Sequence, residues 1–388
     1  MLVHRSGPFR VRPVRPPRLK AHAPCMEADR VVSDRRSFDA LPAMNDEGYR
    51  SVRRIESVNK IPFWPTWAGG GIRAMLLNNR DEWDPFLLLA HHKHSFSPWD
   101  PLRRIQKSIM PEGFPMHAHG GIETVTYMIE GGFLHCDSHD ATPSAYRKGS
   151  VQWMEAGTGI LHQEMFETFS NRNADIELYQ LWINTPTDMK MRSSSVTMLG
   201  DEYGRPLPVV RRESGDGRVC RTEVIAGIVD GQSPDFRTNL PVTILRCTMQ
   251  PGADFEHTLP SAEDTAVLYV RRGTILLGRA DADKRPTRRF TYGWTDLFNQ
   301  EPKERMSEDA TASEGDLVVL ERDGTKVRFT NTGPGEADVL FLSGPPLREP
   351  IIQPSPDIVC GSMDQAREMT RRIRELYREY FGSQVAAK

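Results

Sequence analysis

The chain carries one pattern twice. Residues 123–134 read ETVTYMIEGGFL and residues 263–277 read EDTAVLYVRRGTILL. Each is a glutamate, a strand-like run with a tyrosine, a turn glycine and a second apolar run. Downstream of each, a glycine leads into a further apolar strand: Gly149-Ser150-Val151 and Gly315-Asp316-Leu317. A repeat spaced by roughly 140–165 residues argues for two similar barrels in tandem. The length of 388 residues agrees, being long for one domain and suited to two with extensions.

From about Ile61, where Phe63, Trp64, Trp67 and Gly69-Gly70-Gly71 appear, to about Leu347 the reading is all-β. Short runs of Val, Ile, Leu, Tyr and Phe alternate with Gly, Pro, Asp and Asn, as a barrel or sandwich requires. Residues 185–222 are expected to link the barrels. Residues 279–314, charged and irregular, read as a surface insertion in the second. From Ser362 the apolar positions Met363, Ala366, Met369, Ile373, Leu376, Tyr377 and Tyr380 follow a helical period. Ser362 with Gln365 makes a capping box, and Gly382 is the expected stop.

The start differs in character. Residues 1–26 hold Arg5, Arg10, Arg12, Arg15, Arg18 and Lys20, with no acid before Glu27. An Arg-rich, acid-free start suits an organelle transit peptide, although five prolines oppose the amphipathic helix of a mitochondrial one. The alternatives are a disordered tail, or an upstream extension of a true start at Met26 or Met44. The location expected is cytoplasmic or nuclear, or an organelle if residues 1–43 are a targeting segment. The expected division is therefore residues 1–56 as a disordered or targeting extension and 57–215 as a first, metal-binding barrel. Residues 216–350 form a second barrel without metal, and 351–388 the C-terminal helix and tail.

Charge narrows the partners. Lys+Arg is 50 and Asp+Glu 52, so no global field points to nucleic acid. The five cysteines show no CxxC pair and read as neither a disulfide framework nor a thiolate zinc site. The longest apolar runs are short, such as Pro85 to Ala90, too short to cross a membrane. A monomer is expected.

The chemistry lies between Pro115 and Glu164. His117-Ala118-His119 puts two imidazoles on one face of a strand, because i and i+2 point the same way. His162-Gln163-Glu164 repeats the arrangement about 45 residues on, a spacing open to a neighbouring antiparallel strand. Three imidazoles and a carboxylate are a ligand set for Fe(II), and equally for Mn, Ni, Cu or Zn. A six-coordinate ion would keep positions for water, substrate or O2. The competing reading of an isolated HxH is a surface pair. Glycine-dense turns, Gly120-Gly121 and Gly157-Thr158-Gly159, flank both pairs. Glu123 has the parity to face the same cavity, as an acceptor for an imidazole N–H or as a ligand.

The segments PMHAHGGIETVTYMIEGGFLHCDS and GSVQWMEAGTGILHQE resemble the signature of the pirin family, within the cupin superfamily. LYQLWINTP at 178–186, GIVDG at 227–231 and LSGPPLREPI at 342–351 extend the resemblance over about residues 57–382. It implies two tandem cupin barrels (double-stranded β-helices) and one iron in the first. The family's ligands fall on His117, His119, His162 and Glu164, which separates Glu164 from Glu123. The family motif is usually HPHRGFETV; here Ala118, Gly120 and Ile122 replace the proline, arginine and phenylalanine. Loss of that arginine is expected to remove a positive charge beside the metal mouth.

The resemblance implies quercetin 2,3-dioxygenase activity on a flavonol or related phenolic, with O2 as co-substrate and Glu164 as base. It implies, alternatively, a non-enzymatic redox-responsive iron protein that docks on transcription regulators. The second barrel lacks the set: His257 stands alone and reads as a surface residue. His91, His92 and His94 read as a solvated loop after Ala90. Trp153, Met154 and Met165 are candidates for an apolar pocket, with barrel packing preferred for Trp153. Arg103 and Arg104 are candidates to meet an anionic substrate, with a solvated face as the default.

Overall fold

The structure, a computed structural model, describes residues 48–57, 70–76, 80–107, 111–278, 287–291, 303–307 and 310–386. The Arg-rich start and its targeting reading lie outside them.

The expected duplication is present strand for strand. In the first barrel a six-stranded sheet runs in the order Ser195–Leu199, Val151–Glu155, Ile122–Glu130, Ala174–Asn184, Phe86–Phe96, Gly70–Leu76. It faces a four-stranded sheet ordered Gly113–His119, Ile160–Phe166, Gly132–Asp137, Ser144–Arg147. In the second barrel, six strands of a nine-stranded sheet repeat the first order: Val52–Ser57, Asp316–Leu320, Thr265–Arg272, Ala337–Gly344, Thr243–Met249, Val219–Ala226. They face Asp254–Thr258, Lys326–Asn331, Thr274–Leu277 and Thr311–Ser313.

One strand of the second barrel comes from before the first. Val52–Ser57 takes the place there that Ser195–Leu199 takes in the first barrel, pairing antiparallel with Asp316–Leu320. This corrects the expectation of a disordered extension through residue 56 and of order starting near Ile61. The strand is short and charged, so it has no visible period. Its order comes from partners far away in sequence. Ile55 is fully buried in the second barrel's core, and the Arg50 guanidinium reaches the Gly324 carbonyl at 2.8 Å. The insertion at 279–314 is also partly sheet. Thr287–Thr291 and Lys303–Ser307 pair with each other beyond Val52–Ser57.

The two large sheets bury a shared core. Val125 and Tyr127 of the first pack with Val267, Tyr269 and Leu340 of the second. The alternate residue Met128 turns inward to Phe133 and Tyr146, so both faces of this strand are covered. Each such side chain contributes about 1.5–3 kcal/mol by leaving water. Charged groups also bridge the barrels: Arg271 donates to Glu177 at 2.7 and 2.8 Å and to Asp338 at 2.8 Å.

The C-terminal helix, Met363–Ala386, lies against the outside of the first barrel's small sheet. Ala366, Met369, Ile373 and Leu376 pack on Ala118 and Leu161. Ser362 Oγ accepts the Gln365 N–H at 3.2 Å, as the capping box requires. Gln365 reaches back to the Gly361 N–H at 2.9 Å, one residue earlier than in the standard box. Gly382 does not end the helix, which continues to Ala386. Among the described residues, no helix is long and apolar enough to cross a membrane.

Candidate metal centre

The strands Gly113–His119 and Ile160–Phe166 are antiparallel neighbours, with His117 opposite His162. Alternation sends His117, His119, His162 and Glu164 inward and Ala118 and Leu161 outward, under the C-terminal helix. The turns that allow this approach need glycine. Gly121 has φ 68°, and a Cβ there would run into the Val359 carbonyl; Gly159 has φ 144°, and a Cβ there would press on Ile373.

Three imidazoles converge. His117 Nε2 lies 3.1 Å from His119 Nε2 and 3.0 Å from His162 Nε2. His117 Nδ1 is 2.9 Å from the Pro115 carbonyl, which can only accept. That bond places the ring hydrogen on Nδ1 and leaves Nε2 as a bare lone pair. A proton on one of the three nitrogens serves at most one neighbour well. A cation between them is accepted by all three lone pairs, so these residues fit a metal ion. Burial pushes His119 down to about 3, with the His117 imidazole adding to it, and holds His162 well below the ordinary imidazole value for the same kinds of reason. Both rings are therefore neutral, as ligands must be.

Glu164 is almost wholly buried. It accepts a hydrogen bond from Gln180 Nε2 at 3.0 Å and one from the Tyr146 hydroxyl at 3.3 Å. Burial raises its proton affinity, opposed by the nearby imidazoles of His135 and His117. Within 4.8 Å of one another, the donor atoms of these residues fall into two overlapping trios. His117, His119 and His162 make one trio of donors, and Glu164 joins His162 through a second trio with His135.

A cavity of about 420 Å³ opens beside these groups. His117, His119, Glu164 and Gln180 border it on the polar side. Ile72, Leu88, Phe114 and Trp182 supply apolar wall, and His92 and Asp357 add polar points. Trp182 Nε1 and His92 Nδ1 are buried without a hydrogen-bond partner. Among the described residues, no lysine or arginine lines the cavity.

Several expectations are corrected here. Glu123 orients no imidazole. It accepts from Trp153 Nε1 at 2.7 Å and Asn239 Nδ2 at 2.9 Å, and burial raises it to about 7. Trp153 packs in the core between the barrels, as preferred for it, and Trp182 takes the cavity position. His91, His92 and His94 are not in a loop. They continue the strand Phe86–Phe96 and are buried, His91 bonding Glu177 at 2.7 Å. His257 is buried rather than a surface residue. A Cβ at Gly120, the replaced arginine position, would point toward Ile358, Met369 and Ile373 of the C-terminal segment, and Gly120 is not among the residues that line the cavity. Arg103 lies on the short helix Pro101–Lys107 and pairs with Glu112 at 2.8 Å. With Arg104 it lines a separate surface cavity. His135, Gln180, Tyr146 and Trp182 are not singled out by the sequence reading. For His135 a signal existed: His135-Cys136-Asp137 is another i, i+2 pair of polar groups inside the motif.

Two double-stranded β-helices in tandem, with imidazoles converging inside the first, define a bicupin. Within that class, the chain belongs to the pirin family. The family model described as Pirin matches residues 71–183, a stretch that contains all four expected ligands. A pirin-like protein of Arabidopsis thaliana is 31% identical over 295 residues, 74% of this chain and 85% of its own length. A Vibrio cholerae protein, named provisionally as a quercetin 2,3-dioxygenase, is 30% identical over 226 residues, 56% of this chain and 72% of its own. Among solved structures, a quercetin 2,3-dioxygenase from Acinetobacter baumannii has a TM-score of 0.61 and 22% identity. That match covers 88% of this chain and 99% of the other, and it speaks to the fold.

Proposed function

We propose that the first barrel is a metal-dependent dioxygenase centre of the quercetin 2,3-dioxygenase type, acting on a flavonol or related phenolic with O2. One observation carries the reading: three converging imidazoles lie beside a largely apolar cavity of about 420 Å³, which His117, His119 and the buried Glu164 carboxylate border. A cavity of that size suits a small aromatic substrate. Family membership and the name borne by the Vibrio cholerae relative support the same activity.

His117, His119 and His162 would hold the ion, Fe(II) first and Mn, Ni, Cu or Zn with the same donors, with Glu164 as a further donor. When bound, such an ion supplies Lewis acidity toward a phenolic oxygen and a route for electron density to O2. The chain's own residues do the rest. Phe114, Leu88 and Trp182 pack against a planar ring and exclude water from it. Glu164, held by Gln180 and Tyr146, takes the hydroxyl proton at a carboxylate oxygen. The absence of cationic side chains from the described lining favours an uncharged phenolic over a carboxylate or phosphate.

The test is O2 uptake by anaerobically purified, Fe(II)-loaded protein with quercetin and a panel of phenolics. Turnover that is lost in Glu164→Ala is expected. A fully iron-loaded protein that consumes no O2 with any phenolic would contradict the enzyme reading. It would favour a non-enzymatic, redox-responsive iron protein acting on transcription regulators.

A further inference from the structure

One short element takes no part in either barrel's interior. The helix Pro101–Lys107 lies in the chain between the strands Phe86–Phe96 and Gly113–His119, and none of its residues is buried. Asp100 Oδ1 accepts the Leu102 N–H at 2.9 Å and Pro101 presets the first turn, so the helix is capped where it starts. Arg103 and Gln106, three apart, are half-buried. Arg103 anchors that face, bonding both Glu112 oxygens and lying over the Phe96 ring at 5.2 Å.

The outer positions divide into two stripes. Trp99, Leu102 and Ile105, again three apart, are 67%, 65% and 60% exposed. Arg104 and Lys107 are exposed on the other flank, and among the described residues Arg104 pairs with no carboxylate. Arg103, Arg104 and Lys107 line a cavity of about 420 Å³ together with Thr168, Phe169 and Ser170. The exposed Arg172 guanidinium sits 3.7 Å from the centre of the Phe169 ring. Two carboxylates stand against these four cations, and both are engaged. Asp100 caps the helix, and Glu112 accepts from Arg103, Lys107 and the Thr168 hydroxyl. An apolar stripe and a cationic, hydroxyl-lined hollow are thus carried side by side on one anchored helix.

We propose that this helix and the cavity beside it dock the protein on an anionic membrane surface. Trp99, Leu102 and Ile105 enter the boundary below the headgroups, a depth that tryptophan favours. Arg104, Lys107 and the hydroxyls of the cavity meet the anionic headgroups above it. Charge complementarity and shape together select this occupant. A peptide needs a groove for its apolar side chains, whereas here the apolar groups stand out from the surface and the hollow is polar. The helix lies on the bilayer and does not cross it, since seven residues reach only about 10 Å. The proposal is independent of the metal centre and its chemistry.

The full chain is tested by co-sedimentation with vesicles of phosphatidylcholine alone and of phosphatidylcholine mixed with phosphatidylserine. Binding is expected to the mixed vesicles only, and it should fall as salt is raised. Trp99→Ser/Leu102→Ser/Ile105→Ser should weaken it by more than about tenfold. Arg104→Glu should weaken it about tenfold. The replaced side chains are exposed, so both variants should keep the circular dichroism and unfolding midpoint of wild type. Should the triple variant fail to fold, Arg104→Glu and Trp99→Ser decide. No binding to mixed vesicles, or equal binding to both kinds, would overturn the proposal. Undiminished binding by the variants would overturn it too, and would assign the binding to another cationic segment, Arg5 to Lys20 first. Displacement by inorganic phosphate at matched ionic strength would make the cavity a site for the free anion and overturn membrane docking. A dimer that the triple variant abolishes, without vesicle binding, would give the apolar stripe to a second copy and overturn it likewise.

Discussion

The two barrels share a topology and fill it differently. At corresponding positions of their small sheets, the first sets His117 opposite His162, while the second sets Phe255 opposite Phe329 and His257 opposite Val327. In the second barrel Phe255 and Phe329 stack at 4.7 Å and Phe341 lies 6.2 Å from Phe255, closing the interior with aromatic packing. His257 remains as a single buried imidazole, pushed down to about 4 by burial and by Arg212. The double-stranded β-helix therefore supplies two inward faces, and side-chain choice decides which one becomes polar. A donor cluster needs several imidazoles in register; one among phenylalanines has nothing to share an ion with.

The largest effect expected from this contrast is on metal content. His162→Ala should lower metal affinity more than a hundredfold, because two donor trios lose their common member. His257→Ala should leave metal content unchanged. Equal loss in both variants would break the comparison. Next comes stability. Phe329→Ala removes a fully buried ring from the second core and should cost about 3–5 kcal/mol in denaturant unfolding, with metal per folded chain unaltered. Loss of metal from the folded variant would show that the barrels are not independent in this respect.

The barrels also share something. Glu123 and Glu263, the glutamates that open the two repeats, are both raised from 4.5 to about 7 by burial. Glu263 accepts from the Thr243 hydroxyl at 2.9 Å and from the Ser343 hydroxyl. The folded state keeps these carboxyls protonated where the unfolded chain has released the proton. Their contribution is therefore full below pH 4.5 and is lost as pH rises to about 7. Glu123→Gln and Glu263→Gln should each flatten that decline, by on the order of 3 kcal/mol across the window. Stability curves of variant and wild type that run parallel with pH would refute it. The smallest effect falls within the first barrel. Trp182→Phe keeps an aromatic wall but loses the indole N–H, and should raise KM for a phenolic about tenfold or less. Trp153→Phe, between the barrels, should leave KM alone.

Strict alternation made the ligand strands legible. Parity alone put His117 with His119 and His162 with Glu164, and the repeated glutamate–tyrosine–glycine pattern foretold two barrels. What failed to show depended on partners distant in the chain. Glu123 has the parity of a ligand-strand neighbour, yet Asn239 and Trp153 hold it between the barrels. The run of His91, His92 and His94 looked like a departure from strand because polarity rose. The strand continues because Glu177 and Tyr269 satisfy His91 at 2.7 and 2.9 Å from the interface. Val52–Ser57 was hidden because its pairing partner begins at Asp316. The placement of His135 opposite Glu164 needed the register of a third strand, which spacing does not reveal.

The central claim is that one of two equivalent barrels holds the metal. Anomalous diffraction at the absorption edge of Fe or Ni, from crystals of metal-loaded protein, tests it most directly. A peak is expected beside His162 in the first barrel, with none near His257. A peak in the second barrel, or metal-loaded protein with no peak beside His162, would contradict it.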